Sequence, residues 1–243
     1  MLELIVLGGI VGLLSGFFGI GGGTILVPLL LALGYETKTA IGIAVVQMVF
    51  SSVYGSYLNK KNGSLDLSII LFLAIGGFVG AMLSGNLASY FNDTTLELIF
   101  LGFASFALLR LFFKVKEHSD EKELNKILLF FIGFVIGSIS MTIGVGGSIL
   151  IVPILVGFLH VDLKRAISAG LFFVIFSSLA GLISHYINGH IDLYTGMIIG
   201  VSSLFGVFYG IHFKQKVEHV LQKRLIILFY VGVVSYLTYR IFG

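Results

Sequence analysis

The sequence predicts an all-α integral membrane protein of two inverted repeats, each one re-entrant helical hairpin plus three transmembrane helices. Three observations lead there: an apolar composition, a doubled glycine motif, and the placement of a few basic residues. Of 243 residues, 57% are hydrophobic and 11% are charged, with a mean hydropathy of +1.07. A soluble domain carries roughly 25% charged residues, so one core cannot hide this much apolar surface and the outside must face lipid. A water-soluble enzyme is thereby excluded. At about 20 residues per crossing the chain allows at most roughly ten spans and leaves no room for a soluble domain. With no cysteine there is no disulfide, thiolate metal site or redox thiol. With no Trp and 10 Tyr, tyrosine is the available interface aromatic. The start, residues 1–4 (MLEL), lacks the positive region of a secretory leader, so the first apolar run is expected to be retained.

Residues 15–28 (SGFFGIGGGTILVP) align with 140–153 (SMTIGVGGSILIVP) at an offset of 125, with six identities in 14 positions. After a one-residue insertion, residues 38–67 align with 164–193 with 11 identities in 30. These identities fall mostly on Gly, Ser, Pro, Asn and Asp, which apolar chains do not match by chance, so the chain is an internal duplication. The expected units are a first membrane repeat at 1–113, a solvated cytoplasmic linker at 114–126 and a second, inverted repeat at 127–243. The linker is the one long charged stretch.

In order, the apolar segments are 2–18, 24–34, 39–58, 67–90 and 96–113, then 127–143, 148–159, 165–187, 193–213 and 222–242. The second of each set has only 11 or 12 residues, about 17 Å of helix against a hydrocarbon core of about 30 Å, so neither is expected to cross alone. Charge chooses how they sit. If each short pair made one broken crossing, the 15 Lys and Arg would divide eight against seven. If each pair is a re-entrant hairpin, thirteen fall on one side and only Lys38 and Arg240 on the other. That bias is the positive-inside pattern, which makes the rich side cytoplasmic and places both termini outside. A hairpin plus three crossings is an odd number, so the second half is upside down relative to the first.

The hairpin tips then meet near the midplane, where irregular backbone is tolerated only if it is buried or lines a polar cavity. The tips supply Gly19, Gly21, Gly22, Gly23 and Thr24 on one side and Gly144, Gly146, Gly147 and Ser148 on the other. Helices starting near Thr24 and Ile149 would aim unpaired N–H groups at the tips, and a helix N-terminus carries about half a positive charge. A small anion fits such a pocket without any buried Lys or Arg. Ser51, Ser52, Ser177 and Ser178 lie mid-span at equivalent repeat positions, where their hydroxyls either reach an oxyanion or bond back to their own helix. Gln47, one turn before Ser51, is either a ligand or a link between helices. Ser15 and Ser140, at the hairpin approaches, are lesser candidates. Gly55, Gly80, Gly181 and Gly206 read as close-packing glycines. His185, His190, Asp66 and Asp192 fall near interfaces, the two aspartates as helix caps. Without HExxH, paired intramembrane carboxylates or a Ser/His/Asp set at one depth, neither enzyme chemistry nor a cofactor or metal site is expected.

At the motif of residues 16–23 (GFFGIGGG) with Pro28, its echo at 144–148 (GVGGS) with Pro153, and the two-half layout, the sequence resembles the TauE/SafE family, also called the sulfite exporter or anion permease family. The resemblance covers essentially the whole chain. It implies a multi-pass protein of the cell membrane that moves small sulfur-containing anions such as sulfite, or organosulfonates such as sulfoacetate. Ser148 stands where the first repeat has a third glycine. The expected activity is secondary transport by alternating access around the two tips, with a passive anion channel or a non-transporting scaffold as the alternatives. The expected partners are the small anion and the lipid bilayer. A coupling ion and a homo-oligomer are both open, and no nucleic acid is expected.

Overall fold

In the computed structural model, residues 1–18, 21–61, 67–112, 125–157 and 163–243 are described. Among them the chain forms eleven helices and no strand: α1 (Leu2–Phe18), α2 (Gly23–Ala32), α3 (Thr37–Lys61), α4 (Leu67–Ala81), α5 (Ser84–Tyr90), α6 (Asp93–Phe112), α7 (Lys126–Thr142), α8 (Ser148–Gly157), α9 (Leu163–Ile187), α10 (Leu193–Lys216) and α11 (His219–Phe242). Among the described residues, six stretches are long and apolar enough to cross a membrane: Thr37–Tyr57, Ile70–Tyr90, Asp93–Phe112, Ala169–Ile187, Leu193–Phe213 and Val220–Phe242. Helices α2 and α8 have 10 residues each, about 15 Å. Each holds its proline at the sixth position, Pro28 and Pro153.

Burial sorts the helices. Most of the apolar window of α3 is covered by protein, while that of α11 is largely bare. Leu98, Phe106 and Leu109 on α6 and Leu228, Val231 and Tyr239 on α11 are exposed, which is the surface of a protein solvated by lipid. Two apolar cores form inside. One joins Met48 of α3, Leu73 of α4, Ile136 of α7, Ile151 of α8 and Phe173 of α9. The other joins Val11 of α1, Ile25 and Leu30 of α2, Phe100 of α6 and Tyr230 of α11. Each short helix therefore serves a different core.

The halves interlock through glycine seams. A Cβ on Gly8 would meet Ile199 and Ser202, one on Gly12 would meet the Ser203 backbone, and one on Gly16 would meet Val207. Both sets of numbers rise together, so α1 runs parallel to α10. On the other side Gly76 lies against Phe130 and Gly80 against Phe134, so α4 runs parallel to α7. Only a residue without a side chain permits such backbone approach, which replaces hydrophobic burial as the cohesive force between helices in lipid. Helix α3 packs on α9, α3 on α10 and α4 on α9, while α2 lies on α3 and α8 on α9. Exchanging the two halves leaves this set of neighbours unchanged.

Several expectations need adjustment. The apolar segment 67–90 is divided into α4 and α5. Ser184 Oγ donates to the Met82 carbonyl at 2.7 Å and accepts from Gly85 N–H at 2.9 Å, so one hydroxyl satisfies both backbone groups at the break. Gly80 and Gly206 are seam glycines and Gly181 lies close to Met141, but Gly55 has only the Leu171 methyls near it, at 3.7 and 3.8 Å. It is a glycine with room for a side chain. Asp192 caps α10, accepting from Thr195 N–H at 3.1 Å. Asp66 and nearly all of the charged linker lie outside the described residues.

Candidate functional site

The glycine segments of the two halves touch. A Cβ on Gly23 would fall on the Gly144 carbonyl, and Gly21 lies beside Ser148 Oγ and the Val145 carbonyl. Thr24 Oγ1 donates to that carbonyl at 3.3 Å. Every residue from Gly21 to Pro28 and from Ser140 to Ser148 is buried. Gly19 lies outside the described residues.

Backbone geometry explains the glycines differently at the two tips. Gly144, Gly146 and Gly147 have φ of +70°, +88° and +71°, a region that costs an L-residue about 1–2 kcal/mol each. The turn folds back on itself: Val145 N–H donates to the Ser140 carbonyl at 2.8 Å and Gly144 N–H to Met141 at 3.3 Å. At the first tip Gly21 has φ +75°, matching its repeat partner Gly146. Gly22 has helical φ of −66°, and it is glycine for want of space, since a Cβ there would fall on the Gln47 amide. In the second half the same contact joins Gly147 to Phe173, the residue equivalent to Gln47. One half thus places a polar amide against its tip and the other an aromatic ring. Met48 fills the space between, with Sδ 2.8 Å from the Cβ positions of both Gly23 and Gly146.

Four side chains of the expected set bear on this junction: Thr24, Gln47 and Ser148 directly, and Ser140 through its contact with Gly147, whose Cβ position is 2.9 Å from Ser140 Oγ. Among the described residues, Gln47 Oε1, Ser140 Oγ and Ser148 Oγ are buried without a hydrogen-bond partner. Buried polar atoms are ordinarily satisfied, so three orphans at this junction depart from the usual pattern. The N–H groups of Gly146, Gly147 and Ile149 have no acceptor among the described residues, whereas Ser148 N–H is taken by the Gly146 carbonyl at 2.9 Å. No Lys or Arg is among the buried residues described, so the site offers hydrogen-bond donors without a cation.

The mid-span serines behave otherwise. Ser51 bonds to the Met48 carbonyl at 3.4 Å, Ser52 to Val49 at 3.3 Å, Ser177 to Phe173 at 3.0 Å and Ser178 to Ile175 at 3.2 Å. Their protons return to their own helices, the usual habit of serine in a membrane helix.

Two polar clusters escaped the sequence reading. Glu97, buried in the second turn of α6, accepts from Thr37 Oγ1 at 2.7 Å and from Arg240 Nε at 3.0 Å, while Arg240 Nη1 donates to the Leu31 carbonyl at 3.0 Å. This ties together one end of α2, α3, α6 and α11. His185, in the last turn of α9, is fully buried. Its Nε2 lies 3.0 Å from the Met141 carbonyl and its Nδ1 lies 3.1 Å from His190 Nδ1. A carbonyl only accepts, so Nε2 carries the proton, and in the neutral pair His190 Nδ1 donates to His185 Nδ1. Burial, then the nearby Lys38, lower the His190 pKa against the opposing pull of Asp93. The signal was the paired polar residues of 184–192, which hydropathy alone places at a boundary.

A cavity of about 680 Å³ between α1, α2 and α11 is lined by Leu13, Phe17, Pro28, Phe213, Leu228 and Phe229 among others. It offers an anion nothing, being apolar throughout. Among the described residues there is no group of three or more His, Asp or Glu placed to hold a metal.

Apolar spans wrapped around a buried polar junction define a multi-pass membrane protein. Residues 4–237 match the family described as sulfite exporter TauE/SafE, and the chain belongs to that family. Similar proteins include the probable membrane transporter protein YunE of Bacillus subtilis, 26% identical over 242 residues that cover 88% of this chain and 89% of that one. A second Bacillus subtilis protein, the probable membrane transporter protein YdhB, is 27% identical over 227 residues, 90% and 92% of the two chains. A probable membrane transporter protein of Methanocaldococcus jannaschii is 26% identical over 234 residues, 88% and 86% of the two chains. No solved structure matches.

Proposed function

We propose that the chain is a secondary transporter of the cell membrane for a small sulfur-containing anion, sulfite or an organosulfonate, held where the two glycine tips meet. The observation that bears the reading is the set of three orphaned buried polar atoms, Gln47 Oε1, Ser140 Oγ and Ser148 Oγ, at the same junction as backbone N–H groups that have no acceptor among the described residues. The two hydroxyls and the N–H groups are donors that can hold an anion without a lysine or arginine, while Gln47 Oε1 is an acceptor.

The two halves act as inverted repeats. In support, α1 is parallel to α10 and α7 to α4, Met1 lies near Tyr194 at the start of α10, and Lys126 lies over Phe72 near the start of α4. The far end of α4 leads to Ser89, which meets Asn188 and His190 beside the start of α10. Equivalent helices α1 and α7 thus begin at opposite ends of the bundle. Re-entrance draws support from Leu2 and Leu7 of α1, which line one cavity with Leu33 and Tyr35 beyond α2. Alternating access comes from rocking one half against the other along the glycine seams, carrying the junction from one face to the other. The buried junction favours a carrier over an open channel.

The test is flux into proteoliposomes holding the purified chain, with sulfite, sulfoacetate and sulfate compared. Saturable flux of a sulfur oxyanion, with counterflow, is expected. No saturable flux for any of them rejects the reading, and conductance without saturation replaces the carrier by a channel.

A further inference from the structure

Resting on that reading of the junction, we infer that the site selects a monoanion that still carries an O–H group, and discriminates against dianions and against monoanions with no proton to give. The inference begins with a hydrogen-bond count. Ser203 Oγ donates its only proton to the Gly200 carbonyl at 2.7 Å. Toward Gln47, 3.2 Å away, Ser203 is therefore an acceptor, so it is the Nε2 end of the Gln47 amide that faces it. Turning the amide round would require Ser203 to withdraw its proton from the Gly200 carbonyl, giving up the shorter of its two hydrogen bonds. Gln47 Oε1 is left on the side of Gly22, fully buried and without a donor among the described residues.

An amide oxygen can only accept. Across the junction, the second tip holds donors, the N–H groups of Gly146, Gly147 and Ile149, and two hydroxyls that work either way, Ser140 and Ser148. A guest that satisfies this inventory accepts from several donors and gives one hydrogen bond back to Gln47 Oε1. A fully deprotonated oxyanion would instead set an oxygen against Oε1, leaving both unpaired at the loss of a hydrogen bond or more. Charge leads to the same guest. With no buried Lys or Arg among the described residues, partial dipoles alone must offset the guest's charge, which they do far better for one unit than for two. Hydrogen sulfite has this chemistry, sulfate has one charge too many, and methanesulfonate lacks the proton.

The repeat shows that this feature is particular to one half. The equivalent of Gln47 is Phe173, which meets Gly147 as Gln47 meets Gly22. The acceptor is thus present at one tip only.

The experiment measures flux of sulfite, sulfate and methanesulfonate into proteoliposomes at one fixed pH where hydrogen sulfite is abundant. Holding pH constant keeps the protonation of His185 and His190 out of the comparison. Hydrogen sulfite is expected to outpace methanesulfonate by about tenfold, the worth of one hydrogen bond, and sulfate by more. Gln47→Met, close in volume, removes the acceptor and should reduce the sulfite-to-methanesulfonate ratio about tenfold. Ser203→Ala frees the amide to turn and should reduce the ratio in the same direction, which guards against a Gln47 variant that fails to fold. Sulfate carried as fast as sulfite, or a ratio unchanged in both folded variants, overturns the inference while leaving the transporter intact. No flux of any of the three anions overturns this inference, and the proposed function falls with it only when sulfoacetate is not carried either.

Discussion

Gly23→Ala puts the meeting of the two tips to a direct test. A Cβ at Gly23 overlaps the Gly144 carbonyl, which is backbone and cannot swing aside, and stands 2.8 Å from Met48 Sδ. Ordinary carbon-to-oxygen contact lies at roughly 3.3–3.6 Å, so the tips must part by roughly 1 Å. Overpacking of that kind costs about 1–3 kcal/mol, and it is felt only where the tips touch. If transport passes through this closed junction, the penalty falls on the occluded state and slows sulfite flux by roughly 5- to 150-fold. The control is Gly102→Ala on α6, where nothing lies within 4 Å of the new atom. There alanine should add up to about 1 kcal/mol of helix stability and leave flux unchanged. Flux in proteoliposomes and thermal unfolding in detergent separate a transport defect from a folding one. Wild-type flux in folded Gly23→Ala protein would remove the tip contact from the mechanism.

Three further outcomes follow from the same geometry. Because the chain has no cysteine, single cysteines report topology cleanly: Glu3→Cys and Glu36→Cys should label from one side and Glu218→Cys from the other, and labelling of positions 3 and 36 from opposite sides would refute the re-entrant first hairpin. Arg240→Met leaves the buried Glu97 carboxylate with only Thr37. Since the Arg240 side chain is 33% exposed, the loss should be about 1–2 kcal/mol, below the value for a fully buried pair, read as a lower Tm; an unchanged Tm would show that water replaces the guanidinium. For His190, the lowered pKa means that the unfolded chain binds the proton more readily. Stability is therefore whole above the ordinary imidazole value of about 6.5 and is lost as pH falls through it toward the lower folded value. The Tm of the protein should drop below about pH 6.5 and that of His190→Gln should drop less; parallel curves would assign the loss to other groups.

Length and periodicity made the helices legible. The sequence segments 2–18, 127–143 and 193–213 correspond to α1, α7 and α10 within a few residues, because in lipid an apolar run can satisfy its backbone only as a helix. The repeat was legible for a different reason. Its identities lie on residues used for backbone shape, and Gly21 and Gly146 do share a positive φ. What hydropathy could not show was polar chemistry placed by contact between distant segments. Glu97 looks like an ordinary acid near a helix start until Thr37 and Arg240 close on it from positions 60 and 143 residues away. The break between α4 and α5 depends likewise on Ser184, a residue of the other half. Ser51 and Ser177 are alike in sequence and alike in bonding to their own helices, each reaching the carbonyl about one turn back.

The sequence by itself determined that this is a helical membrane protein, that it is a duplication, and that its glycine segments are interrupted helices. Each of these follows from composition or from local backbone rules, which act within a few residues. The tertiary structure alone decided that the two tips touch and that Gln47 lies against one while Phe173 lies against the other. It also decided that Ser203, by giving its proton to Gly200, turns a glutamine oxygen toward the junction. A hydrogen bond depends on which donor meets which acceptor, and here the partners lie up to 156 residues apart, a separation across which no local propensity acts.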